Sequence, residues 1–508
     1  VSAKRSGKEV FMSIVGAVMV PHPPLILPEV GRGGERQIVK TSKAYEQAMK
    51  FAAGLAPETL VISSPHSIMY RDYFHISPRS SADGNFSQFG APQVRIHAEY
   101  DTEFVNALSE MAQNKDFPAG TDGERDPLLD HATMIPLYFY RMSAAIPKIV
   151  RIGLSGLPLK EHYKLGQMIQ AVAEKLGRRV IYVASGDLSH KLLESGPYGF
   201  DPAGPEYDER IMDVMGSGEF DKLLDFNEDF CDEAAECGHR SFVMMAGALD
   251  GLNVSPSKLS HEGITGVGYG VCTYTVNGHD DSRHMLDIWE KRERDDLSMA
   301  RTGEDAYIRL ARASVEKFVL TGERLTESEG VKIIAEYYNN SGADQANRAV
   351  GGNDSAQDHG SAPGSQNELL HQCAGAFVSI HENGALRGCI GTIMPTRSCL
   401  MKEIIANGVA ACSEDPRFNP ITEPELQYLT ISVDVLGKTE SINSPSELDV
   451  KRYGVIVTKG GRRGLLLPNL EGVNTVERQI EIASQKAGLD AHEKGISLER
   501  FEVVRHEV

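Results

Sequence analysis

The stretch Phe11 to Pro24, FMSIVGAVMVPHPP, decides how this chain is read. Its first ten residues are almost wholly apolar, short of the roughly 18 that a membrane span requires. Closed off by Pro21-His22-Pro23-Pro24, the run reads as a buried strand with a histidine just past its carboxyl end. The same grammar repeats downstream. Thr41 to Leu55 has helical spacing, and Thr59 to Ser63 (TLVIS) is a short β-branched run. Ile149 to Leu154 is another apolar run, followed by a helix over Lys160 to Leu176 and a strand at Val180 to Ala184 (VIYVA). Gly263 to Val276 closes the half as a late strand. Strand–helix alternation of this kind predicts an α/β unit, a central sheet with helices on its faces.

Composition sets the bounds. At 508 residues, 41% hydrophobic and 24% charged, the chain is globular and long enough for two or three domains. Its 71 acidic residues against 52 basic ones leave a net charge of −19. That balance argues against nucleic acid and anionic membrane as partners. The seven cysteines are scattered without a CxxC pair, which excludes a zinc ribbon or an all-cysteine iron–sulfur site. Reduced thiols and a start (VSAKRSGKEVF) without a long apolar segment lead to the expectation of a soluble, cytoplasmic protein.

Residues 277–305, with DDSRH and EKRERDD, are charge-dense and read as a solvated linker. A second unit begins near Ala306 with the amphipathic YIRLARASVEKFVL. Tyr338 to Asn367 is poor in hydrophobic residues and reads as a mobile polar insertion. Strands are expected at Ala376 to Ile380 and Leu429 to Leu436, and a helix over Val476 to Ala487. The predicted organisation is a metal-site domain over 11–276, a linker over 277–305 and a second domain over 306–508.

Chemistry is carried by histidines at strand ends. His22 follows the first strand, His66 the second (VISSPHS), and His190 the VIYVA strand (SGDLSH). Loops at that edge of an α/β sheet converge on one crevice. Imidazole is a favoured ligand of divalent transition metals, and two histidines with a carboxylate make a facial set with open positions. A single loop histidine is ordinarily structural; three placed alike are harder to explain so. The segment DEAAECGHR (Asp232 to Arg240) offers the third ligand. Glu236 is the preferred one and Cys237 the competitor, although acidic residues also suit an ordinary helix start.

Taken in order, MVPHPP, SPHS, LDHATMIPLYF (Leu129 to Phe139), SGDLSH and ECGHRS resemble the class III extradiol ring-cleavage dioxygenases (LigB-like) and their Memo-like relatives over about Phe11 to Val276. The resemblance implies a central mixed sheet flanked by helices and an iron(II) site, with zinc or another divalent metal as alternatives. His22, His66 and Glu236 would be its ligands, His190 the acid–base group and His131 a second histidine beside a small aromatic substrate. The Memo-like branch has a cysteine where Cys237 stands. LRGCIGT (Leu386 to Thr392), SEDPRF (Ser413 to Phe418) and GRRGLLLP (Gly461 to Pro468) resemble the AMMECR1 domain, an α+β unit. The pairing resembles the AmmeMemoRadiSam system protein A family, which implies a radical-SAM protein partner; the dioxygenase-like family also implies a homodimer. The leading expectation is an extradiol-type oxidoreductase on a catechol-like aromatic. A metal-dependent hydrolase or lyase, and a metal-binding scaffold, are the alternatives. In the second unit, Arg387 beside Cys389 would lower a thiol pKa, whereas a small packed cysteine needs no such role.

Overall fold

The computed structural model describes residues 12–341, 365–382, 384–470, 472–490 and 495–508. The expected insertion at 338–367 therefore falls largely outside the described residues. The chain divides into two compact units, Val1–Lys291 and Arg292–Val508.

The first unit is built on six strands: β1 (Ile14–Val20), β2 (Thr59–Ser64), β3 (Lys148–Gly153), β4 (Val180–Ser185), β5 (Leu252–Glu262) and β6 (Tyr269–His279). They lie in the order β3-β2-β4-β1-β6-β5. β2 pairs parallel with both β3 and β4, and β4 parallel with β1. β6 and β5 close the other edge antiparallel. The sheet is mixed, as the resemblance implied.

Strand periodicity explains why the runs are apolar throughout. Ala17 and Met19 enter one core with Val61, Val150, Tyr182 and Ala184, while Val18 and Val20 enter the other with Leu60, Ile62, Ile149 and Val183. Successive side chains point to opposite faces, so a sheet covered on both sides favours apolar residues along its central strands, with buried polar residues such as Thr59, Ser64 and Ser185 near their ends. Helices α1 (Val39–Gly54) and α2 (His131–Tyr140) cover one face. The other is covered by α3 (Leu159–Leu176), α4 (Ala203–Ser217), the short α5 (Glu228–Ala234) and α6 (His239–Ala248).

Several elements escaped the sequence reading, among them the helices Thr102–Asn114 and α4, strand β5 and one hairpin. Strand β5 carries Pro256, which argues against a strand but is tolerated on this edge. The hairpin Ser81–Phe86 with Ala91–Glu99 begins as SADGNF, without an apolar run to announce it. Residues 277–305 hold the end of β6 and the helix Met285–Thr302, whose Met285, Leu286 and Trp289 are buried in the first core. Asp250 anchors that helix start: it accepts from the Met285 amide (2.9 Å), His284 Nδ1 (2.8 Å) and Tyr163 Oη (2.6 Å).

The second unit is α+β. One antiparallel sheet contains Ala385–Gly391, Ala376–Glu382, Leu429–Leu436 and Val503–His506 in that order. A second contains Glu440–Ile442, Ser497–Phe501, Gly454–Lys459 and Arg462–Leu466. Helices Ala306–Thr321 and Leu400–Ser413 pack over the first sheet in one core. Among the described residues no helix is long and apolar enough to cross a membrane.

Helices α3 and α6 cross with backbones in contact. A Cβ on Gly247 would overlap the Tyr163 carbonyl oxygen, and one on Gly166 the Met244 carbonyl oxygen. Both obstacles are backbone, so no side chain can give way. Gly247→Ala should destabilise the first unit by about 3 kcal/mol, read as an earlier urea transition with an unchanged slope. The Asp250 carboxylate holds the His284 pKa above its ordinary value. A raised folded pKa contributes stability below about pH 6.5 that fades as pH rises through the folded value. An NMR titration should show this upward shift in wild type and lose it in Asp250→Asn.

A candidate metal centre at the carboxyl edge of the sheet

β2, β4 and β1 are neighbours, so the loops leaving their carboxyl ends meet. His22 stands two residues past β1, His66 two past β2 and His190 five past β4. His22 and His66 bring their Nε2 atoms to 3.1 Å, and Cys237 Sγ lies 3.6 Å from His22 Nε2. Among the described residues, two groups have ligand atoms within 4.8 Å of one another: His22, His66 and Cys237, and Asp187, His190 and Cys237.

Each of these groups is held by its own partners. Ser185 Oγ donates to the Ala132 carbonyl (2.8 Å) and sits 3.2 Å from His22 Nδ1. The hydroxyl proton is thereby spent, so Nδ1–H donates to Ser185 and Nε2 carries the lone pair. The His22 backbone N–H donates to Asp187 Oδ1 (2.7 Å). His190 Nδ1 is tied to the Ala235 carbonyl (2.6 Å), which leaves its Nε2 free. His131 opens α2, whose cap Asp130 accepts from the Thr133 amide and from Ser64 Oγ. Its ring centroid is 4.2 Å from that of His66 and 5.2 Å from that of Phe89.

Glu236 and Cys237 part company. The Glu236 carboxylate turns to the amino end of α6 and accepts from the His239 amide (2.5 Å), the ordinary capping role of an acidic residue there. It belongs to neither group of potential ligands. Cys237 takes the inward place because the chain is pressed against the loop after β4. A Cβ on Gly186 would overlap Gly238 Cα, and the Asp187 amide lies 3.4 Å from Cys237 Sγ. Ala235, left-handed at φ 51°, makes the turn that sets this course, at a cost of about 1 kcal/mol for an L residue. Asp187 ties the loops after β1 and β4 together. Tyr269 is buried and hydrogen-bonded to Thr265 Oγ1 (3.2 Å). His261 pairs with Asp208 (2.7 Å), and His75 is buried away from these groups.

Burial dominates the electrostatics. It lowers the His22 and His66 pKa values and the His190 value, and brings His131 to about 4. It also pushes Asp187 and Glu236 up to about 7 and raises the Cys237 thiol. Neutral imidazoles are the form that binds a metal. The donor set of two neutral Nε2 atoms and a sulfur fits a borderline-soft divalent cation.

A family model described as the catalytic LigB subunit of aromatic ring-opening dioxygenase matches residues 16–272, half of the chain. The chain belongs to the LigB family. An AMMECR1 model matches residues 308–506, so the molecule is a LigB–AMMECR1 fusion. Protein CA_C1420 of Clostridium acetobutylicum is 37% identical over 97% of this chain and 99% of its own. A protein of Thermotoga maritima is 50% identical over 27% of this chain and 80% of its own. The crystal structure of protein PH0010 from Pyrococcus horikoshii, 25% identical, covers 39% of this chain and 88% of its own with a TM-score of 0.30.

In the AMMECR1 domain, Arg387 does not turn to the Cys389 thiol. It pairs with Glu425 (2.7 Å) and donates to the Asn419 carbonyl (2.9 Å). Arg417 pairs with Asp415 (2.7 Å), and the glycines at 460 and 461 form the turn of a hairpin.

The divided roles of residues 236 and 237 are testable by metal analysis. Cys237→Ala should lose bound metal. Glu236→Ala should keep it while costing about 1 kcal/mol of stability through the lost cap. Gly186→Ala, which displaces Cys237 without touching a ligand, should weaken metal binding by about 10- to 100-fold.

Proposed function

We propose that the LigB domain is a metal-dependent, extradiol-type oxidoreductase that uses iron(II) on a catechol-like aromatic. The observation that carries this reading is the convergence of His22 Nε2, His66 Nε2 and Cys237 Sγ, with His190 and His131 beside them. Bound by those three residues, iron(II) supplies a Lewis-acidic centre for catecholate oxygens and a redox partner for dioxygen.

The chain's own groups do the rest. His190 has its Nδ1 proton committed to Ala235, so its Nε2 is the basic atom. Burial keeps that imidazole neutral, ready to take a phenolic proton and return it to product. His131, fixed at the start of α2, orients the substrate against His66 and Phe89.

A thiolate in the ligand set favours a second reading, a metal-assisted hydrolase or lyase using zinc and no oxygen, with His190 as the same base. Metal analysis of protein purified without oxygen separates the two. About one iron per chain, with a catechol-induced spectral change lost in His22→Ala or His66→Ala, is the expected outcome. Zinc with no catechol response would overturn the oxidoreductase reading. His190→Ala should lower kcat by about 100- to 10,000-fold with metal content retained. Loss of the metal in that variant would instead make His190 a ligand.

A further inference from the structure

Beside His66 and His131 a cleft of about 400 Å³ opens to solvent, within the usual range for small-molecule sites. One wall is the hairpin turn, carrying Asn85, Ser87 and Gln88; the other is the segment with Asp126 and Asp130. Neither Lys nor Arg is among its lining residues.

The nearby cations lie outside that lining. Arg151 is buried, donating to the Leu128 carbonyl (2.5 Å), the Asp126 carbonyl (3.1 Å) and Ser77 Oγ (2.8 Å). It stands 3.8 Å from Asp130 Oδ2 and compensates that carboxylate from behind the wall. Arg32 donates to the Gly90 carbonyl (3.0 Å) on the hairpin, and Arg125 lies over the Tyr70 ring. Asp126 is different. Its side chain is exposed, one oxygen accepts from the Leu128 amide (3.0 Å), and it has no ion pair among the described residues. Across the cleft, the Gln88 amide makes no hydrogen bond among the described residues, leaving donor and acceptor free for a polar substituent.

From this lining, and resting on the catechol reading above, we infer that the site selects an aromatic whose side chain is cationic and rejects one whose side chain is a carboxylate. The amine end of such a substrate lies toward Asp126 and Gln88, with the ring toward His131. A carboxylate in that position meets Asp126 with no compensating cation, and the missing partner supplies specificity by repulsion.

The test uses the full-length, iron-loaded protein and two probes matched in ring and chain length, 3,4-dihydroxyphenethylamine and 3,4-dihydroxyphenylacetate. Dissociation constants are read from the catechol-induced spectral change, without turnover. The amine should bind about fivefold more tightly at low salt, as a single exposed carboxylate allows. That preference should shrink at roughly 0.5 M salt and approach parity in Asp126→Asn. Equal or tighter binding of the carboxylate, with both probes still lost in His22→Ala, overturns the inference and leaves the metal-site reading standing. An amine preference unchanged in Asp126→Asn also overturns it. Failure of both probes to bind wild type overturns the catechol reading and this inference with it.

Discussion

The backbone contact between Gly186 and Gly238 is the constraint on which the candidate centre depends. Two chain segments about fifty residues apart can approach this closely only because neither carries a Cβ at the contact. The approach seats Cys237 against the Asp187 amide and brings its sulfur to 3.6 Å from His22 Nε2. The same loop sends the Asp187 carboxylate to the His22 amide and the Ser185 hydroxyl to the His22 ring. One close packing of loops therefore sets the position of a thiol, the orientation of an imidazole and its tautomer together.

The sheet makes that contact possible. Parallel strands β2, β4 and β1 present their carboxyl ends side by side, and the two cores above and below fix their register. Helices α2 and α6 then begin at this edge, one with His131 and the other just after Cys237. Histidines and a sulfur are thus delivered by five separate segments, none of which needs to be long. Rigidity comes from the backbone hydrogen bonds that each loop makes with its neighbours, such as Gly186 N–H to the Val20 carbonyl (3.0 Å). A preorganised site of this kind loses little entropy when it takes up a metal or substrate.

Burial gives the pocket its chemical character. Loss of solvation favours the neutral forms, so the histidine pKa values fall and the carboxylates and thiol hold their protons more tightly. A cation placed among them would reverse that preference for the thiol. The cleft beside His66 and His131 is open and polar, and His66 is itself exposed on it.

Much of this was legible in the sequence. Apolar runs bounded by Pro, Gly and polar residues marked β1 to β4 to within a residue or three, because a strand buried on both faces is mostly apolar along its length. The placement of His22, His66 and His190 just past those strands was equally local. Strand β5 and the hairpin at 81–99 were not legible, since an edge strand and a solvated hairpin tolerate Pro256 and SADGNF. The choice between Glu236 and Cys237 was also hidden: both stand before α6, and composition favours the acid as a ligand. Only the folded chain separates the two, because the amide of His239 captures the carboxylate while a glycine contact fifty residues distant turns the neighbouring thiol toward His22. Local sequence determined which residues reach the edge of the sheet, and long-range packing decided which of them face one another.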